Sequence, residues 1–192
     1  MKSILKYSIY FVILILIGVF AMVWLSPYGK KSGFTQKLIV STVSINASVD
    51  DVYNYLGNSE NAKKWSVYVN HITPLNLNNF NDGEKGSIRR CFKNKNEKGM
   101  YWDEEILIDE KNKRRRLSIY NKHNFSINGP ELVTEQLYQK NDSKCMLSFT
   151  VSFPDNNHSW LDELKLHFAS YTISNIFEGN LNRIKEIVEN SY

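Results

Sequence analysis

"VSINASVDDVYNYLGNSENAKKW", Val43 to Trp65, reads as a strand that stops abruptly and gives way to two very short helices ending in a tryptophan. The strand begins earlier: "LIVSTVSIN" from Leu38 to Asn46 is rich in β-branched residues, and Ile39, Val43 and Ile45 share one parity, the pattern of a strand with one buried face. Ser48 with Asp51 three residues on is a capping pair, and Asp50 and Asp51 suit the positive end of a helix. Val49, Val52, Tyr53 and Leu56 form one helical face, and Gly57 can close it. Asn58 or Ser59 can start a second turn or two, in which Ala62 and Trp65 face the same way. Helices this short are not stable alone, so each must lie against a larger surface, with Tyr53, Leu56 and Trp65 as its contacts.

Downstream the chain is punctuated by turns. "VYVNHITPL" (67–75), "GSIRRCFK" (86–93), "MYWDEEILI" (100–108), "RLSIYN" (116–121), "ELVTEQLYQ" (131–139) and "CMLSFTVSF" (145–153) are separated by short Asn-, Gly- and Lys-rich segments, which indicates an antiparallel meander. Ser159 can cap a final helix that runs without proline to Val188. Leu161, Leu164 and Phe168 mark one face of it, while Ile173, Phe177, Leu181, Ile184 and Val188 mark another. Leu164 and Ile173 are about two and a half turns apart, which predicts a bend or break near Ser170 to Thr172.

The N-terminus differs in kind. "ILKYSIYFVILILIGVFAMVWL", Ile4 to Leu25, carries Lys6 as its only charge and is long enough to cross about 30 Å of hydrocarbon as a helix. Tyr7, Tyr10, Trp24 and Tyr28 fall near its two ends, where amphipathic rings favour headgroups. A cleavable signal peptide also starts with a basic segment and an apolar run, but this run is longer than the usual one and is followed by Trp24, Leu25, Ser26, Pro27 and Tyr28 rather than by a small-x-small site. The reading is therefore a single-pass anchor. Lys2 and Lys6 precede the run and Lys30, Lys31 and Lys37 follow it, so neither orientation is favoured. The expected division is an anchor over 1–28, a linker over 29–37 and one domain over 38–190.

Composition agrees with one folded domain. The 192 residues are 42% hydrophobic and 23% charged, which excludes disorder. A net charge of +4 comes from scattered Lys and Arg and indicates no nucleic-acid groove. Cys91 and Cys145 are too far apart for a CxxC motif and read as small buried hydrophobes. His71, His123, His158 and His167 have no metal-ligand spacing, and there is no Gly-x-Ser-x-Gly or phosphate loop. No metal and no cofactor are expected.

One strand, two tiny helices, a meander of about six further strands and a long terminal helix make an order that resembles the SRPBCC or START-like superfamily, and within it the polyketide cyclase/dehydrase and lipid-transport branch. The residues that carry the resemblance are "INASVDDVYNYL", Trp65 closing the second helix, "GSIRR", the hairpin text at 104–118, and "FEGNLNRIKEIVE" in the last helix. The resemblance implies an α+β helix-grip fold, a curved antiparallel sheet of about seven strands wrapped on the C-terminal helix. It also implies a cavity between sheet and helix, with the two short helices as its floor. A cavity of that kind suits an apolar small molecule or lipid.

Within that frame Tyr53, Trp65, Arg90, Tyr101, Trp102, Leu164 and Phe168 are the expected ligand contacts, and Glu104 and Glu135 the candidate carboxylates. If Ile106 and Ile108 point inward, alternation brings Trp102 and Glu104 with them, and Val133 and Leu137 bring Glu135. An inward Glu in an apolar groove can act as a general acid or base or anchor a ligand hydroxyl. A slip or bulge in "DEE" (103–105) would turn Glu104 outward instead. Arg89 and Arg90 put one guanidinium on each face of their strand in either register. "KNKRRR", Lys111 to Arg116, reads as a basic hairpin tip, solvated or facing anionic headgroups. Three functions fit: a membrane-anchored binding protein for a hydrophobic ligand, a cyclase or dehydratase using Glu104 or Glu135 with Tyr101, or a protein-interaction module whose groove is filled by its own side chains.

Overall fold

The computed structural model describes residues 2–125, 132–154 and 159–191, and side chains from residue 6 on; the expected turn at 128–130 and His158 lie outside these residues. Helix α1 (Lys2–Trp24) leads into β1 (Gly29–Lys30) and β2 (Lys37–Ile45), followed by α2 (Val49–Gly57), a 3-10 turn (Ser59–Asn61) and α3 (Ala62–Trp65). The meander is β3 (His71–Pro74), β4 (Ile88–Phe92), β5 (Tyr101–Glu110), β6 (Arg114–His123), β7 (Leu132–Asn141) and β8 (Lys144–Ser152), and α4 (Trp160–Glu189) closes the chain. The described strands form one open antiparallel sheet of eight, in the order β1-β2-β8-β7-β6-β5-β4-β3. With the long helix packed across it and the short helices at one end, this is the α+β helix-grip fold.

The short elements form for the expected reasons. Ser48 Oγ accepts the Asp51 amide at the start of α2, and Asn58 Oδ1 accepts the Glu60 amide at the start of the 3-10 turn. Each cap satisfies a donor that the first turn leaves open. Val52, Tyr53 and Leu56 are buried with Ile45, Leu147, Leu181 and Ile184 in the main core. The β5–β6 and β7–β8 turns place Asn112 and Asp142 at φ +60° and +53°, the left-handed region that Asn and Asp tolerate best after Gly.

Three expectations change. Gly29 and Lys30, assigned to a linker, pair with Leu38 and Lys37 and add the eighth strand. Tyr28, expected among headgroups, is buried against Phe153 and His167 in a second core cluster with Ile39, Val151 and Leu166. Helix α4 is continuous from Trp160 to Glu189, without the break expected near Ser170. The reason is a misjudged stripe: Leu166 and Ser170, both buried, extend the Ile173–Phe177–Leu181–Ile184–Val188 face toward the N-terminus at regular helical spacing. Leu161, Leu164 and Phe168 belong to a different, outward face.

Candidate functional site

A cavity of about 210 Å³ opens between the sheet and α4. Ala62, Trp65, Tyr68 and Val69 form one wall, Ile173, Ile176, Phe177 and Asn180 of α4 another, and Ile72, Cys91, Trp102, Leu117, Ile119, Phe149 and Val151 of the sheet a third. The surface is overwhelmingly apolar. The short helices earn their place here: Val67 N donates to Asn180 Oδ1 at 2.7 Å and Arg183 Nη1 donates to Ser66 O at 3.2 Å, pinning the segment after α3 to the long helix.

One end is polar. Arg89 is buried and its Nε donates to Glu104 Oε2 at 3.0 Å, while Trp102 Nε1 donates to the other carboxylate oxygen at 2.9 Å. Both lie on cavity-facing positions because Arg89 pairs with Glu104, and Cys91 with Trp102, across β4 and β5. Burial, with Glu104 beside it, pushes the Cys91 thiol well above its ordinary range, so it sits as a neutral packing group. Trp65 Nε1 is the contrast: it is buried on the cavity wall and has no hydrogen-bond partner among the described residues.

A second polar network lies beneath this floor. Arg115 is buried under the Tyr53 ring at 4.5 Å, and its Nε and Nη1 donate to Asp109 Oδ1 and Gln136 Oε1, each at 3.3 Å. Tyr53 Oη donates to the same Asp109 oxygen at 2.5 Å and Tyr138 Oη to Gln136 Oε1 at 2.7 Å. Burial and then Asp109 raise the Tyr53 hydroxyl above its usual range. The charges here satisfy one another, which is what burial of an arginine requires.

The expected site residues divide accordingly. Trp65, Trp102 and Glu104 line the cavity together. Tyr53 supports the floor from below. Arg90 and Tyr101 occupy the opposite face of the sheet: Arg90 makes a two-point bond to Asp103 at 2.7 and 3.0 Å and lies 4.7 Å from the Tyr101 ring centre. Leu164 and Phe168 are on the outward side of α4 and do not line the cavity.

Glu135 borders the cavity where its strand passes, but its carboxylate lies 3.9 Å from Nε of Arg116, its register partner. The inward side chains of β7 are Leu132, Thr134 and Gln136, one step out of phase with the Val133–Leu137 parity that the sequence suggested. Alternation from Ile106 held back to Trp102, but a bulge between Ile106 and Ile108 shifts the phase beyond it, so Asp109 rather than Ile108 faces inward with Arg115. Asn180 was missed. Its signal was a lone polar residue beside Leu181 on the apolar stripe of the last helix.

No family model matches the chain, and no curated protein matches it by sequence. Solved structures do. MLL2253 from Mesorhizobium loti superposes with a TM-score of 0.62 at 12% identity, over 81% of this chain and 98% of that one. Ara h 8.0201 gives 0.58 at 12% identity, over 80% and 97%. DynU16, from the dynemicin biosynthetic locus, gives 0.51 at 20% identity, over 78% of this chain and 47% of its own. These likenesses establish the helix-grip fold and, at such identities, nothing finer. Helix α1 contains a span, Lys6–Trp24, that is long and apolar enough to cross a membrane, a property it shares with signal sequences.

Proposed function

We propose that the protein is a membrane-anchored binding protein that holds a small hydrophobic molecule, with one polar end, in the cavity between sheet and α4. The observation that carries this reading is the cavity itself: apolar walls with a fixed Arg89–Glu104–Trp102 cluster at one end. Apolar walls with few convergent polar groups are the usual make-up of small-molecule sites. The solved neighbours include a protein of a biosynthetic locus, which agrees with small-molecule handling.

The test is native mass spectrometry of the full chain released from lipid nanodiscs, with analysis of whatever dissociates on denaturation. A stoichiometric apolar adduct that is lost in Phe149→Trp, which fills the cavity, supports the reading. An empty, stable domain overturns it.

The enzymatic alternative draws on Glu104 alone, since Glu135 and Tyr101 point elsewhere. Both Glu104 oxygens are engaged by Arg89 and Trp102, which favours an anchoring role over proton transfer.

A further inference from the structure

Helix α4 carries two apolar stripes. One is buried in the domain; the other, Trp160, Leu161, Leu164 and Phe168, faces outward, with Trp160 79%, Leu161 46% and Phe168 37% exposed. At spacings of three and four residues these side chains form one continuous ridge, and the next position along it is Tyr171. Tyr171 Oη donates to the Met22 carbonyl, in the last turn of the apolar span, at 2.7 Å. One turn away, Ser26 Oγ bonds Ser170 Oγ at 2.9 Å and donates to His167 O at 3.3 Å. The ridge thus ends on α1 beside the exposed Trp24 and Leu25. Beyond Tyr171 the same line of α4 turns polar, through Asn175, Glu178 and Asn182, so the apolar patch stops where the contact with α1 stops.

We infer that this ridge is a docking surface for the bilayer that holds α1. The inference rests on reading α1 as a membrane span. Contiguous exposed apolar side chains on a folded domain mark an interaction surface, and a helix with one such face lies in the interfacial plane. Trp and Tyr side chains are suited to that depth, and Trp24, Trp160 and Tyr171 supply them. The anchor holds the ridge at the membrane surface, so docking requires little additional ordering. Docking also brings the end of the cavity formed by Ile173, Leu132 and Val151, packed behind Tyr28, toward the lipid.

The experiment places a nitroxide on Leu161→Cys, Phe168→Cys, Leu16→Cys and Asn96→Cys in turn, in the full chain reconstituted into phosphatidylcholine–phosphatidylglycerol vesicles, and compares collisions with oxygen and with a water-soluble nickel chelate. The native Cys91 and Cys145 are buried and stay unlabelled. Labels at 161 and 168 are expected to meet the chelate several-fold less often than the label at 96, and oxygen more often. If 161 and 168 behave like 96 while 16 reports hydrocarbon, the docking surface is overturned and the anchor stands. If 16 is also water-exposed, the span reading itself fails and the docking surface falls with it.

Discussion

At the scale of single residues the cavity's polar groups make separable predictions. Arg89→Met leaves Glu104 buried without its cation and should cost about 3–5 kcal/mol in urea unfolding. The double change with Glu104→Gln should recover more than half of that loss, since the amide oxygen still accepts from Trp102. His167 is held below its ordinary value by burial, opposed by Glu163 and assisted by Lys37. The unfolded chain therefore binds the proton more readily, and this contribution to stability, complete above pH about 6.5, is lost as pH falls from there toward the depressed folded value. Melting temperature measured from pH 7.5 to 5.5 should fall more steeply for the native chain than for His167→Gln.

Elements show which rules carried across from sequence to structure. N-caps did, because each is a contact between residues two or three apart: Ser159 Oγ accepts the Asp162 amide at 3.2 Å, and Ser159→Ala should cost about 1 kcal/mol in chemical denaturation; the expected closure of α2 at Gly57 did not, since Gly57 stays in the helix and Asn58 ends it. Turn residues did too, for the same local reason. Phase along the strands did not, because bulges at Tyr101/Asp103 and Ile106/Ile108 insert residues that alternation cannot anticipate. The loop between β3 and β4 shows a packing constraint that its composition hid. Gly83 sits at φ +85°, and a Cβ there would meet the Gly57 carbonyl at the end of α2. Gly83→Ala should cost about 1–3 kcal/mol from strained backbone alone.

For the whole molecule, the boundary between the apolar N-terminal helix and the folded domain is the main revision. Tyr28 and Ser26 belong to the folded unit, packed on Phe153 and bonded to α4. A chain starting at Ser26 should therefore unfold as cooperatively as the full protein. One starting at Lys31 loses β1 and a buried tyrosine, a loss of about 1.5–3 kcal/mol, visible as a lower melting temperature. The same contacts set α4 against the end of α1, where its outward ridge begins.

The element order, the N-caps and the apolar N-terminal helix were legible in the sequence by itself, because each depends on periodicity or on residues a few positions apart; the helix-grip architecture came from the family resemblance that this element order carries. The inward direction of Trp102 and Glu104 followed as well, since no bulge intervenes between Trp102 and Ile106. Only the tertiary structure decided that Arg89 rather than Arg90 faces the cavity, that Glu135 is turned to Arg116, and that α4 runs unbroken with a second apolar face left over. These depend on strand register and on which helix stripe the sheet covers. Both are set by contacts between residues far apart in the chain, which no local pattern encodes.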